Sequence, residues 1–332
     1  MNWLEEILES QREQAESFKK SIPARVFFNH FEAANTFIEH DDSNTDLKRL
    51  PYYNALTIRN IEFDVEKCKR LFWNCWSTEN AFHLTIPDSE FYKFALHWHF
   101  PQAYYSIYLC MTAFHETQGI ANDNHEKSIK LFGNSVKNGH YPKAISYYAA
   151  GGYNDFIYKG LTKANNKKFN SVSKINDVED AEMQIASFLK STRKQNAENK
   201  RERGLKEFSK NKDFQNKYGE FVKRFTKKHW DLIYNKIPET TLLNLIYRLR
   251  IKANYHDIET FINADLDFKK FHESIGKVIS YLNFVHEAYF CKAVGISVYE
   301  KIIDSFGGHV FDDKVKKRFE IIKNISNNKP SL

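Results

Sequence analysis

Turn-forming residues are scarce in this chain, and their scarcity limits the folds open to it. The first glycine is Gly119, and the 332 residues include only 12 glycines and 7 prolines. An all-β protein needs turn residues at regular intervals, so the sequence excludes that class. Hydrophobic residues make up 42% of the chain and aromatic residues 15%, enough for a large core in which rings fill much of the space. We therefore expect an all-α protein.

Apolar residues recur at helical spacing in several segments. The most regular series predicts a long core helix that Gly295 ends, and it consists of Phe271, Ile275, Val278, Leu282, Val285 and Tyr289. Residues 2–20 are predicted to form a helix that packs through one apolar side. Asp64 is a predicted N-cap for the next helical series, and Pro101 is predicted to end or kink a later helix. The interval 151–177 is less regular.

The sequence also argues against secretion and against insertion into a membrane. The four cysteines form no CxxC pair, the N-terminus lacks the basic flank and apolar run of a signal peptide, and no apolar run approaches the roughly 18 residues that span a bilayer. We expect a cytoplasmic protein without membrane association.

No metal or cofactor site is evident from the motifs. Cys68, Cys75, His97 and His99 are residue types that bind zinc, but their spacing fits no common metal site, and no nucleotide-binding or hydrolase motif occurs. Neither a metal nor a cofactor is expected.

Positive charge is concentrated between residues 190 and 228. This segment carries 14 Lys or Arg against 5 Asp or Glu, whereas the whole chain has a net charge of only +7. Such a segment can attract phosphate backbones. Its candidate nucleic-acid-binding residues are Arg201, Arg203, Lys223 and Arg224. A solvated helix or a mobile arm is the alternative, because most charge runs are one or the other.

A polar cluster follows an apolar helix near residue 250. The sequence from Thr240 to Ile262 is TTLLNLIYRLRIKANYHDIETFI. Its polar group consists of Arg248, Arg250, Lys252, Asn254, Tyr255, His256 and Asp257. Six steps along an ideal helix separate Arg250 from His256 by about 120° around the axis. The two side chains converge only if the helix ends near Tyr255 or if a second protomer completes the site.

The same helix geometry supports a structural alternative. Arg250, Asn254 and Asp257 share one helix face at spacings of four and three residues. That arrangement is typical of a structural Arg/Asp pair, and ion-pair networks can mimic functional sites.

The spacing from Arg250 to His256 carries a resemblance to a known superfamily. It is R-x5-H, within the R-x(4–6)-H pattern of HEPN domains, and RIKANY is similar to the R-x-K-A-D-Y form of many members, with Asn254 at the position of the common Asp. Two upstream segments, 103–120 and 125–142, resemble the first long helices of that helical bundle, and 271–295 resembles its last. The resemblance implies a HEPN-like bundle in four parts. These are an N-terminal helical extension (1–85), a first part of the bundle (86–160), a basic helical insertion (161–238) and a second part (239–332).

The resemblance also implies a function. Catalytic HEPN proteins are metal-independent endoribonucleases, usually homodimers with a composite cleft, and many are toxins or anti-phage effectors. In this chain His256 would be the acid/base and Arg250 the phosphate anchor. The implied supporting residues are Asn254, Tyr255 and Asp257, and Arg248 and Lys252 would add nucleic-acid contacts.

Two other functions remain open from the sequence. One is a non-catalytic HEPN-like module that binds nucleic acid, or a partner protein such as a nucleotidyltransferase, through the basic segment 190–228. The other is a helical scaffold without a nucleic-acid role.

Overall fold

The expectation of an all-α protein is confirmed by a computed structural model of the chain. It describes residues 3–40, 47–59, 62–84, 89–122, 124–163, 169–222, 224–255, 258–262, 264–306 and 312–327. Most of these residues are helical. The helices are α1 (Trp3–Glu39), α2 (Pro51–Asn54), α3 (Val65–Leu84), α4 (Ser89–Thr117), α5 (His125–Lys137), α6 (Val178–Phe208), α7 (Lys227–Tyr234), α8 (Leu242–Tyr255), α9 (Ile258–Ile262), α10 (Phe268–Val294), α11 (Ile296–Asp304) and α12 (Asp312–Asn327). None of these described helices is long and apolar enough to cross a membrane.

Helix α4 is the centre of the bundle. It packs along α3, α8, α9 and α10, and its buried face includes Phe100, Tyr104 and Met111. Of the two outcomes predicted for Pro101, an end or a kink, the end is wrong, because α4 continues through this residue to Thr117. Proline removes one backbone hydrogen bond and crowds the preceding turn, but packing against four helices outweighs that local preference.

Helix ends follow the predicted signals in two places. Asp64 caps α3, where its Oδ1 accepts a hydrogen bond of 2.9 Å from the backbone N–H of Lys67. The predicted core helix is α10, which Gly295 ends at a φ of 93°. Both predictions are confirmed.

The N-terminal helix differs from its prediction. A helix is present, but α1 runs from Trp3 to Glu39, about twice the predicted length, with Pro23 inside it. The side chains of residue 9 and of residues 11–20 are exposed, so the predicted packing of 2–20 is wrong for these positions of the single chain. Among the side chains of α1 that the structure describes, burial begins at Ser21, and the helix packs against α6 and α10.

A small β-hairpin occupies part of the interval without predicted structure. Strand β1 (Tyr148–Gly152) pairs antiparallel with β2 (Asp155–Lys159), and Asn154 adopts a φ of 65° in the two-residue turn. Ala149 also exchanges two backbone hydrogen bonds of 2.9 Å with Thr240. The hairpin is thereby fixed to the chain that enters α8.

The basic segment folds around a second, smaller apolar cluster. The cluster contains Ala197, Phe208, Phe214, Ile233 and Tyr234, which belong to α6, α7 and the turn between them. The main core includes residues of α1, α3, α4, α8, α10 and α12, together with the first part of α6. The described part of the basic segment therefore has a local apolar cluster in addition to its contacts with the rest of the fold.

A buried ion triad joins three helices. Arg318 of α12 donates hydrogen bonds of 2.7 and 2.8 Å to Glu287 of α10 and one of 2.7 Å to Glu79 of α3. Burial alone would raise the pKa of Glu79, but the charge of Arg318 and the surrounding hydrogen bonds lower it to about 2. Burial raises the pKa of Glu287 despite the same arginine. The triad ties α12 to the bundle.

We predict that Arg318→Met destabilises the protein by about 3–5 kcal/mol, because removing one partner leaves carboxylates buried without their cation. The neighbouring Lys317 is exposed, so Lys317→Met should change stability by no more than about 0.5 kcal/mol. Urea unfolding followed by circular dichroism measures both. Equal unfolding midpoints for the two variants would contradict the structural role of the triad.

Candidate nucleic-acid interface

A cleft of about 1310 Å³ lies between α5, α6 and α8, and we call it the basic cleft. Its cationic lining residues are Lys127, Lys130, Lys200, Arg203, Lys236, Arg248 and Lys252. Its acidic lining residues are Glu126, Glu207 and Glu239. The described lining also includes seven Asn or Gln side chains, so the walls present hydrogen-bonding groups along much of their surface.

The acidic residues of the basic cleft already have partners. Glu126 pairs with Arg203 at 2.7 Å, and Glu207 pairs with Lys236 at 3.6 Å. Glu239 pairs with Lys137, outside the lining, at 2.5 Å. Among the described residues, no carboxylate lies within 4.0 Å of three lining cations, Lys130, Lys200 and Arg248. The cleft therefore keeps an excess of positive charge that suits an anionic ligand.

Arg248 is a half-buried cation on the α8 side of the cleft. Its Nη1 donates hydrogen bonds of 3.1 and 3.2 Å to the hydroxyls of Ser191 and Thr192 on α6. Burial lowers the pKa of Arg248. The pKa of His30 is lowered to about 3, first by burial and then by the positive charge of Arg248. The guanidinium is thus positioned by neutral oxygens, and none of these contacts neutralises its charge.

Arg250, two residues further along α8, lies among tyrosine rings. Its Cζ is 5.3 Å from the ring centre of Tyr104, 4.8 Å from that of Tyr105 and 5.6 Å from that of Tyr247. Its Nη2 donates a hydrogen bond of 2.6 Å to the Tyr105 hydroxyl. Its Nε is buried, and no described residue forms a hydrogen bond with it. No carboxylate of a described residue lies within 4.0 Å of the guanidinium.

His125, the first residue of α5, joins the same rings. Its ring centre is 5.3 Å from that of Tyr104 and 4.9 Å from that of Tyr108, and its Nδ1 is 3.0 Å from the Tyr104 hydroxyl. Burial and the charge of Arg250 lower the pKa of His125. We call Tyr104, Tyr105, Tyr108, His125, Tyr247 and Arg250 the tyrosine cluster. Sequence analysis missed His125 as a site residue, since 125 positions separate it from Arg250 and no local motif includes both.

The tyrosine cluster adjoins the basic cleft. Tyr247 belongs to both, and Asn124 and Lys127, on either side of His125 in sequence, line the cleft. Asn124 also caps α5, accepting a hydrogen bond of 2.8 Å from the Lys127 backbone. A ligand in the cleft can therefore reach the first turn of α5 and the tyrosine cluster together.

The structure places the remaining predicted residues differently. Arg203, Arg248 and Lys252 line the basic cleft. Arg201 and Arg224 do not line it, and Lys223 lies outside the described residues. Asn254 and Tyr255 belong to the last turn of α8, whereas His256 and Asp257 lie outside the described residues.

The two cysteines considered above as zinc ligands lie in the protein interior. Cys68 and Cys75 are buried, with Cys68 3.6 Å from the carbonyl of Ala113. In the described part of the chain, no group of three or more His, Cys, Asp or Glu side chains is arranged to hold a metal ion.

Comparison of the chain with protein-family models, with curated proteins and with solved structures gives no match.

Arg201 provides a test of which basic residues bind and which support the fold. Its guanidinium lies 5.0 Å from the Phe225 ring and 5.8 Å from the Trp230 ring. We predict that Arg201→Ala lowers stability by about 1 kcal/mol through lost stacking and packing. The matched control Arg203→Ala removes an exposed side chain and should leave stability nearly unchanged. Thermal unfolding compares them, and a greater loss for Arg203→Ala would contradict this placement.

Proposed function

We propose that this protein binds single-stranded RNA in the basic cleft and cleaves it, without a metal, at Arg250. The observation that carries the proposal is a guanidinium among three tyrosine rings, without a nearby carboxylate in the described residues, beside a cleft with excess positive charge. A phosphate is the ligand that would supply the missing negative charge.

The basic cleft fits a polymer better than a small metabolite. Small-molecule sites are mostly apolar and have volumes of about 300–1,000 Å³, whereas this cleft reaches about 1310 Å³ and is lined largely by cations and amides. Single-stranded nucleic acids bind through cations along the backbone and aromatic rings on which bases stack. Lys130 and Lys200 would provide the first kind of contact and Tyr247 the second.

The chemistry at Arg250 would follow the HEPN pattern. A guanidinium can hold the scissile phosphate by two hydrogen bonds and stabilise the charge that develops during attack. The R-x5-H motif assigns the acid/base role to His256. The same resemblance supports a homodimer whose two motifs share one cleft, and a cellular role as a toxin or anti-phage effector. These assignments are part of the proposal and rest on the sequence motif.

Binding is tested first. We predict that replacing Lys130, Lys200 and Arg248 together with glutamine weakens binding of a short fluorescent single-stranded RNA by roughly 10- to 100-fold. The slope of log Kd against log salt concentration should also fall by about 2, since each phosphate contact contributes about 0.7 for a single strand. Fluorescence anisotropy at several salt concentrations measures both values.

The matched control replaces three exposed lysines that do not line the cleft, Lys269, Lys301 and Lys317. It removes the same charge. If both triple variants lose affinity equally, the basic cleft is not the binding site.

Cleavage is tested in EDTA. We predict that purified protein cleaves RNA under these conditions and that Arg250→Ala and His256→Ala each slow cleavage by about 100-fold or more. Arg12→Ala and His40→Ala change exposed residues of α1 and its end and should leave the rate unaltered. Full activity in both site variants would rule out this mechanism.

A second candidate function is a non-catalytic nucleic-acid-binding module. It is favoured by Tyr218, whose side chain is 74% exposed, with the Lys217 ammonium 4.9 Å from its ring centre. An exposed ring beside a cation can stack on a base outside the basic cleft. Salt-dependent RNA binding without cleavage in EDTA would favour this candidate over the endoribonuclease.

A further inference from the structure

Cleavage of RNA by its own 2′-hydroxyl requires two proton transfers. One proton leaves the 2′-oxygen as it attacks phosphorus, and another reaches the 5′-oxygen as it departs. A single imidazole cannot take one proton and give another in the same step. If the proposed function is correct and His256 is the acid, a second group near Arg250 acts as the base, either the second copy of the motif or another side chain of this chain.

We propose that His125 is the general base at this site. His125 and Arg250 contact the same three rings. The His125 ring centre is 5.3, 5.8 and 6.0 Å from the centres of Tyr104, Tyr105 and Tyr247. Because Arg250 lies within 4.8–5.6 Å of those same three centres, the imidazole and the guanidinium occupy one neighbourhood.

A hydrogen bond joins the His125 ring to Tyr104. Tyr104 is completely buried, and its hydroxyl lies 3.0 Å from His125 Nδ1. Burial raises the pKa of Tyr104, so its hydroxyl stays protonated and can either donate to Nδ1 or accept from Nδ1–H. The proposed mechanism uses the second arrangement. In that tautomer Nε2 carries the lone pair. No described residue forms a hydrogen bond with Nε2, which is therefore the atom able to take a proton.

The surroundings keep His125 neutral. Among the described residues, the titratable or charged groups that face it are Tyr104, Tyr105 and Tyr108 from α4, and Tyr247 and Arg250 from α8. None of them is a carboxylate that would favour the protonated imidazole. The neighbouring Glu126 instead pairs with Arg203. A neutral imidazole beside a fixed positive charge is ready to act as a base near neutral pH.

The reaction balances without any oxidant, reductant or metal. The proton of the 2′-hydroxyl passes to His125 Nε2 while the 2′-oxygen forms a bond to phosphorus. The bond between phosphorus and the 5′-oxygen breaks, and that oxygen takes a proton from His256. Arg250 holds the non-bridging oxygens throughout. The products are a 2′,3′-cyclic phosphate and a 5′-hydroxyl, and proton exchange with water restores both histidines.

The experiment compares His125→Ala with His256→Ala on two substrates. With ordinary RNA in EDTA, both variants should cleave about 100-fold more slowly than the wild type. Binding of an uncleavable 2′-deoxy analogue should change less than about threefold, which shows that the cleft remains folded. The second substrate has sulfur in place of the 5′-oxygen at the cleavage point, and this leaving group departs without needing a proton.

The two substrates separate a base from an acid. His256→Ala should recover to within about tenfold of the wild-type rate on the sulfur substrate, whereas His125→Ala should stay slow, because the 2′-hydroxyl must still be deprotonated. Recovery of His125→Ala on this substrate would overturn the assignment of His125 as the base. So would normal cleavage of ordinary RNA by His125→Ala.

Tyr104→Phe provides an independent variant that keeps the buried ring. It removes only the hydroxyl that orients Nδ1, so cleavage should fall by about tenfold with unchanged binding. An unchanged rate would contradict the assigned tautomer. Failure of the proposed function is distinguishable from failure of this inference. If the wild type itself leaves RNA intact in EDTA, both are overturned, whereas an active His125→Ala beside an inactive Arg250→Ala overturns the inference alone.

Discussion

The bundle depends on one helix that continues where its sequence favours a break. Pro101 cannot donate a backbone hydrogen bond, yet α4 passes through it and packs along four other helices. Residues C-terminal to the proline serve both the core and the candidate site. The ring of Tyr104 is completely buried, while its hydroxyl meets His125 and its face meets Arg250. If the helix broke at Pro101, Phe100, which packs in the core, and Tyr104, which belongs to the tyrosine cluster, would lie on separate helices.

The surroundings of each guanidinium distinguish arginines that support the fold from those that can bind a ligand. Arg318 is buried between two carboxylates, which together accept three of its hydrogen bonds. Arg193 is also buried, and it donates to the backbone oxygens of Gly151, Pro238 and Tyr234. Arg250 has a single hydroxyl acceptor and a buried Nε without a partner among the described residues. An unsatisfied charged donor is unfavourable, so a bound anion would stabilise Arg250 more than either of the others.

Sequence patterns correctly predicted structural features that depend on residues close together in the chain. The cap at Asp64 and the end of α10 at Gly295 both follow from short-range geometry, and both were predicted correctly. Arg250 was also singled out, because an arginine within a polar cluster at the end of an apolar helix is visible in the sequence. The pairing of Arg250 with His125 was not, since it arises from tertiary contacts between α4, α5 and α8. The exposure of residues 11–20 of α1 was mispredicted for a related reason, because an apolar stripe in the sequence does not show whether another part of the folded chain packs against it.

The basic segment shows why a charge run is a poor guide to an individual contact. Arg201 and Arg203 are two residues apart on α6, so their side chains point about 200° apart around the helix. Arg201 therefore stacks on Phe225 and Trp230, whereas Arg203 reaches the basic cleft and pairs with Glu126 across it. The side chains of that pair are 70% and 74% exposed, and such pairs are weak in water. A phosphate can consequently replace Glu126 as the partner of Arg203 at little energetic cost, so the pairs that now span the cleft do not oppose the binding of a polyanion.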